Sequence, residues 1–341
     1  MRGAGRPLRG KAQALWFEWE GTLAMAAEPA MLAAAALLDF IVGDPWGWPH
    51  PVQFIGKAIA LYRKLALSRP TPPWVMRLLG IGLTVLIVGG TGLISWLSLQ
   101  ICAQISPVLA GICEVVLLAS CFAGRSLRRA AEDVLAPLQA GELETARARL
   151  AMYVGRDTDH LSALEIRRAV LETVSENAVD GVSAPLFYAI LGAFFSLAAP
   201  VALAYKAAST LDSMVGYREA PYTYLGWFSA KFEDGLTWVP CRISVLAIAL
   251  LSGRPGFVLR LCRRDAPADP SPNAGWSECA YAAALGVRLG GENHYRGQVK
   301  LKPYLGEDER PITKRAIAQA CRLTRWSFLL GLGLGMVGLW L

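Results

Sequence analysis

Charge is what this chain of 341 residues has least of. Asp, Glu, Lys and Arg make up 18% of it, while 54% is hydrophobic before its 33 glycines are counted. Soluble domains carry about 25% charged residues. So apolar a composition excludes intrinsic disorder, and so little charge argues against an ordinary soluble enzyme. Other absences narrow the chemistry. The seven cysteines include no C-x-x-C pair, which excludes a structural zinc site or a disulfide framework. They read as reduced, small hydrophobes. There is no G-x-x-x-x-G-K-[ST] loop, no dinucleotide fingerprint, no G-x-S-x-G and no H-E-x-x-H. Neither zinc nor haem is expected, and any ATP would be held by something other than a P-loop. His160 and His294 are isolated and read as surface residues. The formal charge of +7 comes without the basic-aromatic motifs of a nucleic-acid module. It reads instead as positive-inside bias and attraction to anionic lipid.

What the chain does have is uncharged runs. Leu78–Cys113 contains 36 residues without a charge. At about 1.5 Å per residue one helix would overrun a hydrocarbon core of about 30 Å. Two helices, Leu78–Leu99 and Pro107–Ala123, broken near Ser106-Pro107, are expected, with Glu114 facing protein rather than lipid. Gly181–Tyr205 is a second run, of 25 residues. Pro185, Gly192 and Pro200 predict that it is kinked or broken. Pro29–Gly43 predicts a shorter helix carrying Asp39. Gly235–Gly253 is apolar except for Arg242, and Trp326–Leu341 closes the chain with 16 uncharged residues. The expected fold class is all-α: a polytopic integral membrane protein with four to six apolar helices, plus re-entrant or interfacial amphipathic helices and cytoplasmic loops. Residues 25–341 form one membrane-embedded domain. In residues 1–24, Glu18 and Glu20 break any signal-peptide core, so this extension reads as a disordered tail or a mis-assigned start.

Lys and Arg number five in loop 44–77, eight in 124–180 and thirteen in 254–325. These counts put all three loops in the cytoplasm. Loop 206–234 has three, and strict alternation of spans would put it outside. It returns to the cytoplasmic side if Gly181–Tyr205 and Gly235–Gly253 are re-entrant or interfacial.

Polar residues gather at the edges of the apolar runs, where a site open to water would be built. Asp44-Pro45 ends the first helix, since a residue before proline resists the α region. With His50 it forms either a carboxylate and imidazole on a rigid turn or a plain helix stop. Glu172, Glu176 and Asp180 recur every fourth residue and line one helical face, with Asn177 beside them. Acids so spaced repel one another. With no basic partner at that spacing, the stripe is expected to bind a cation, and hard oxygen ligands suit Mg²⁺. Lys206, Asp212, Ser213 and Tyr217 follow the second run, where a lysine, an acid and hydroxyls can hold phosphate. Lys206 can equally snorkel. Asp234, Trp238 and Arg242 share a helical face. Arg242 is a functional candidate with Asp234 as partner, and a purely structural pair remains open. Asp269, Ser271, Asn273 and Gly275 belong to a proline-rich loop whose backbone amides could receive an anion.

At this point the residues resemble a known family. "LLDFIVGDPWGWPHPVQFIGKAI", "ETVSENAVDGVSAPLFYAILG", "AYKAASTLDSMVGYR" and "RDAPADPSPNAGWSECAYAAALGVRLGG" together resemble the adenosylcobinamide-phosphate synthases, the CobD/CbiB family of cobalamin biosynthesis. The resemblance runs from about Met31 to the final helix. Ser209 and Thr237 stand where the family often has Asn. It implies a ligase of the inner membrane, multi-pass, with its site facing the cytoplasm. The propionate side chain f of adenosylcobyric acid would be joined to (R)-1-amino-2-propanol phosphate or a related amino alcohol, with ATP as co-substrate and Mg²⁺ present.

On that basis Glu172, Glu176 and Asp180, with Asp44 or Asp212, are assigned to the metal. Lys206 and Arg242 are assigned to phosphate charge, and His50 or Asp234 to the amine proton. Asp44, Asn177, Asp212, Ser213, Tyr217, Asp269, Ser271, Asn273 and Gly275 are expected at the substrates. Membrane lipid is an expected partner, nucleic acid is not, and self-association or association with other late-pathway membrane enzymes stays open. Two other readings compete. One is a non-catalytic membrane regulator like AmpE, which would not need both the acidic stripe and the proline-rich loop. The other is a transporter, for which an inverted repeat would be expected and none is visible.

Overall fold

The computed structural model describes residues 27–44, 47 and 49–341. The extension 1–24, and Pro45 and Trp48 of the first cluster, lie outside the described residues.

Helices dominate, and local chemistry sets their ends. Helix α1 covers 27–41, and Arg125 caps it by donating to the carbonyls of Phe40 and Ile41. Helix α2, Pro51–Ala66, starts on a proline behind His50, whose Nδ1 accepts the Val52 amide. Helices α3, Pro73–Ile105, and α4, Pro107–Ala119, are separated at Ser106, which is extended at φ −164°. The proline that follows forces this break, as the sequence predicts. After α5, Gly124–Gln139, and the short α6, Leu143–Leu150, comes α7, Ala163–Ala178. A reciprocal capping box of Ser162 and Glu165 opens α7.

The uncharged run 181–205 is broken, as its prolines and glycine predict. A π-turn, Val179–Ser183, leads into α8, Ala184–Ala193, and α9, Ala198–Val215, packs back against α8. Gly192 permits the close turn, since a Cβ there would strike the Leu197 carbonyl and Val201. Then follow α10, Trp227–Leu251, α11, Pro255–Asp265, α12, Ala274–Leu285, and α13, Lys314–Trp340.

Four segments are long and apolar enough to cross a membrane: α3, the stretch Pro107–Gln139 that holds α4 and α5, α10 and α13. The α4–α5 stretch is interrupted at Ser120–Ala123. Val85, Leu86, Leu93, Ile94 and Ile101 of α3, and Leu334 and Val337 of α13, point outward and exposed. Outward aliphatic surface of this extent suits lipid rather than water. All seven cysteines are free.

The expectation of an all-α chain needs correction. Strands β1, Arg288–Tyr295, and β2, Gln298–Gly306, pair antiparallel as a hairpin. Its turn, Arg296-Gly297, has φ of 51° and 75°, the double positive φ that matches hairpin twist. Arginine is not the Asn or Asp that normally marks such a turn. The register shifts between Leu289 and Gly291, where Gly290 and Gly291 adopt φ of 85° and 93°.

Helix α9 ties the structure together by entering all three buried cores. Tyr205 joins the core of α7, α10, α12 and the hairpin. Ala198, Ala202 and Leu203 pack with α1, α4 and α13. Ala207, Leu211 and Val215 meet Ile55 and Ile59 of α2 and Leu83 and Ile87 of α3. The polar residues of α9 are therefore delivered to the junction of the three.

The loop between α9 and α10 docks on α3 at Gly80, where a Cβ would collide with the Leu225 carbonyl. Overpacking there costs about 1–3 kcal/mol. Gly89 of the same helix has open space around it, and alanine there should gain up to about 1 kcal/mol from helix propensity. Melting in detergent should therefore drop for Gly80→Ala and hold or rise for Gly89→Ala; equal shifts would mean that the loop is not docked.

Candidate active site

Carboxylates from separate motifs converge where the π-turn meets α9 and α10. Asp180 of the π-turn lies in the field of Glu176, Asp212 and Glu233. Asp212 lies in that of Asp234 and Glu176. Burial, then these neighbours, push the Asp180 carboxyl well above its ordinary value, with Lys206 opposing. The same causes, burial and then Asp234 and Glu176, push Asp212 up to about 6. Lys206 is the cation of this junction. Burial weakens its hold on a proton, and the neighbouring Asp44, Asp180 and Asp39 strengthen it.

The first sequence cluster joins the same junction. His50 Nε2 lies 3.1 Å from Asp44 Oδ1, and Ser126 donates to Asp44 Oδ2 at 2.6 Å. Because Nδ1 of His50 takes the Val52 amide, Nε2 carries the proton and donates it to Asp44. Burial alone would raise the Asp44 carboxyl. The hydrogen bonds from His50 and Ser126, with the Lys206 charge, hold it below the usual carboxylate range. The motif is thus both a helix start and a bonded carboxylate–imidazole pair.

The acidic stripe does not act as one unit. Glu172 is buried and lies 2.5 Å from Arg156 and 3.6 Å from Arg168, and it accepts the Gly290 amide at 3.0 Å. The stripe therefore has a basic partner at helical spacing, because Arg168 stands four residues before Glu172. Glu172 is locked to the hairpin and is not free to bind a cation. Asp180 leaves the straight row because the π-turn widens the helix there. Glu176 and Asn177 are exposed, and Asn177 Nδ2 donates back to the Thr173 carbonyl at 2.9 Å. Among the described residues no group of three or more His, Cys, Asp or Glu side chains is drawn together closely enough to hold a metal ion.

Arg242 finds a different partner from the expected Asp234. Its guanidinium sits between the rings of Trp238, at 5.0 Å, and Trp276, at 4.5 Å, and donates to Asn273 Oδ1 at 3.2 Å. Asn273 Nδ2 donates to the Asp234 carbonyl at 2.9 Å, while the Asp234 carboxylate faces Lys231 at 3.4 Å. The amides expected to receive an anion are partly taken, since Ser271 Oγ accepts those of Asn273 and Ala274. Asp269 Oδ1 accepts the Ser271 amide, and Gly275 has no room for a Cβ against Asp269 and the Ala266 carbonyl. Asp269, Ser271 and Gly275 therefore shape the loop that presents Asn273 and Arg242. Thr210 bonds back to the Lys206 carbonyl and Ser213 to that of Thr210. Ser213 and Tyr217 are exposed at the rim.

Two further residues reach the junction unannounced by the sequence. Glu278 of α12 is fully buried and pairs with Lys302 of β2 at 3.2 Å, and its Oε2 has no partner among the described residues. Burial pushes the Glu278 carboxyl up, while Glu278, Glu176 and Glu172 overcome burial and hold Lys302 charged. A lone acid in the alanine-rich helix was the available signal for Glu278. Lys302 had none, because it stands on the hairpin.

Comparison with known proteins adds a line of its own. The profile of the CobD/Cbib protein family matches residues 32–324. The chain belongs to the CobD/CbiB family. It is 52% identical over 308 residues to the cobalamin biosynthesis protein CobD of Synechocystis sp., covering 89% of this chain and 90% of the relative. It is 41% identical over 304 residues to the cobalamin biosynthesis protein CbiB of Salmonella arizonae, covering 88% and 94%. With CobD of Photorhabdus laumondii it shares 43% over 286 residues, covering 82% and 87%. No solved structure matches the chain.

Two measurements test which acids hold this CobD/CbiB chain together. Glu172→Gln removes the buried negative charge that pairs with Arg156 and Arg168 and should cost about 3–5 kcal/mol. Glu176→Gln, at an exposed position, should stay within about 0.5 kcal/mol. Thermal melts that rank them the other way would overturn the division. Asp44 also makes stability depend on pH. Its native pKa is depressed, so its contribution is present above the ordinary carboxylate value and is lost as pH falls through the native one. The wild type should lose more melting temperature over that acid window than Asp44→Asn does.

Proposed function

We propose that the protein is a ligase of cobalamin biosynthesis. It joins the f-side-chain propionate of adenosylcobyric acid to (R)-1-amino-2-propanol phosphate, or a related amino alcohol, and consumes ATP. The observation that carries this reading is the convergence of Glu176, Asp180, Asp212 and Asp234 on Lys206 and the Arg242–Asn273 pair, in a chain whose relatives are named for cobalamin biosynthesis.

A carboxylate is a poor acyl donor, because it offers no acceptable leaving group. Phosphoryl transfer from ATP to the propionate oxygen gives ADP and an acyl phosphate. Attack of the amine on the carbonyl carbon then expels inorganic phosphate and releases a proton. Lys206 and Arg242 are placed to hold phosphate charge through these steps. Of the two expected proton acceptors, Asp234 suits the task. His50 does not, since Nδ1 holds an amide and Nε2 is bonded to Asp44.

Mg²⁺ fits the remaining donors. Glu176, Asp180 and Asp212 offer hard oxygens whose mutual repulsion a cation would relieve. Glu172 drops out, because Arg156 and Arg168 hold it. Mg²⁺ commonly takes one or two carboxylates and fills its shell with water and substrate phosphates, so the acids need not already meet at one point. Bound there, it would neutralise charge on the transferring phosphoryl oxygens.

ATP requires a cytoplasmic site at the inner membrane, and contacts around α10 support that side. Glu219, before α10, meets Lys300 at 2.5 Å, and Arg254, after it, meets Glu309 at 3.7 Å. Both partners belong to the polar segment formed by the hairpin and the turn that follows it. A polar hairpin cannot run through hydrocarbon. On this reading both ends of α10 lie on one face, so that α10, although long enough to cross, lies along the membrane, and the loop 206–234 groups with the basic loop 254–325.

The test is ligation by membranes holding the protein, with adenosylcobyric acid, aminopropanol phosphate and Mg-ATP, read by mass spectrometry. Ligated corrinoid should appear with the wild type, and Glu176→Gln and Lys206→Ala should each lower the rate at least about a hundredfold. Full activity in both variants would remove these roles, and no product with the wild type would leave a regulator or transporter. Ser213→Cys should react with an impermeant thiol reagent only from the cytoplasmic side; labelling from the opposite side would refute the orientation.

A further inference from the structure

A cavity of about 370 Å³ opens between α1, α5 and α13, and none of the residues assigned to ligation lines it. Its two ends differ in chemistry. One is apolar, built from Ala33, Leu37, Phe328, Leu329 and Leu332. The other carries Arg125, Arg128, Arg325 and Asp39. The mouth lies on the outer surface of two of the segments able to cross a membrane, and Leu37, Phe40 and Leu329 stand exposed around it.

The charged end is underused by the protein itself. Arg125 spends Nη1 on the carbonyls of Phe40 and Ile41, and its buried Nε has no partner among the described residues. Among the described residues Arg128 has one acidic partner, Glu132 at 3.7 Å, whose side chain is 67% exposed. Arg325 lies over the Phe40 ring at 4.9 Å, beside the exposed Trp326. An arginine next to an outward tryptophan marks the depth of lipid head groups. Asp39 is buried, and its Oδ1 is an acceptor with no donor among the described residues.

A ligand that satisfies all three features needs an anionic phosphate for the arginines, a hydrogen-bond donor for Asp39, and a long apolar tail. We propose that this cavity binds a glycerophospholipid of the phosphatidylglycerol class. Its acyl chain follows Leu37, Phe328 and Leu332, its phosphate meets Arg128 and Arg325, and a head-group hydroxyl donates to Asp39 Oδ1. Basic pockets between membrane helices recognise head groups by this combination of charge and depth. The inference is independent of the ligase reading, since it uses other residues and requires no turnover.

Native mass spectrometry of the full chain in detergent tests it, with phosphatidylglycerol and phosphatidylcholine offered together. Phosphatidylcholine has the phosphate and the tails but neither net charge nor a hydroxyl donor. The wild type should retain phosphatidylglycerol about tenfold better, and Arg128→Gln/Arg325→Gln should bring the two lipids level. Leu329→Trp, which fills the apolar end and leaves the arginines intact, should also lower retention and serves where the double variant fails to fold. Equal retention of the two lipids by the wild type, or retention unchanged in every folded variant, overturns the proposal. Displacement by glycerol 1-phosphate or inorganic phosphate overturns it in favour of a soluble-anion site. Displacement by adenosylcobyric acid overturns it in favour of a substrate entry route.

Discussion

The carboxylate of Glu172 holds the polar half of this molecule in register. It is buried, and Arg156, Arg168 and the Gly290 amide all direct donors at it. Both arginines continue outward to the hairpin. Arg156 donates to Asn293 Oδ1, and Arg168 to the carbonyls of Gly290 and Glu292 and to Asn293 Oδ1. One acid thus fixes the bulge at Gly290-Gly291 against α7, and with it the strand that carries Lys302. A buried ion pair is weak evidence of net stability, because desolvation offsets much of the attraction. Its geometric consequence is firmer. Lys302 reaches Glu278 only if the hairpin lies where Glu172 holds it.

The rest of the charge is arranged around α9. Its sides are committed to three apolar cores, so Lys206 and Asp212 have little freedom to move. Lys206 is the basic group common to the fields of Asp44 and Asp180, which joins the carboxylate–imidazole pair of the first loop to the acids of the π-turn and α10. Acids this close are mutually unfavourable. A fold that keeps them together with so few cations carries an electrostatic cost that burial increases, and a bound cation would relieve it.

The sequence was legible where a local rule decides the structure. Ser106-Pro107 had to break the first long run, and Pro185, Gly192 and Pro200 had to break the second. The acids, Lys206, Asn273 and Arg242 stand at one junction because each motif sits at the edge of an apolar segment. Legibility failed where partners come from afar or from unusual turns. Arg168 could have been found by counting four residues back from Glu172. Arg156 could not, since a loop brings it in. Lys302 was hidden because the hairpin turns on Arg-Gly, a pair without the usual signature. The pairing of Arg242 with Asn273 was missed because helical spacing pointed to Asp234, and an aromatic sandwich set the guanidinium elsewhere.

The π-turn connects these parts. A regular α-helix through Asp180 would have kept it in line with Glu172, on the face that the arginines claim. The wider turn moves Asp180 off that row and leaves backbone groups without their α-helical partners. One of them is used at once: the Gly181 carbonyl accepts the Ala123 amide at 2.9 Å. Ala123 is the residue before α5, so the turn that aims Asp180 also anchors the start of the helix bearing Arg125 and Ser126. Ser126 holds Asp44, and Arg125 caps α1. Straightening the π-turn would therefore move more than one acid. It would release the α5 start, and with it the Asp44–His50 pair and the basic wall of the cavity beside α1. Sites of this kind are where π-turns persist, because the local loss of helical bonding is balanced by contacts that no regular helix at Asp180 could make.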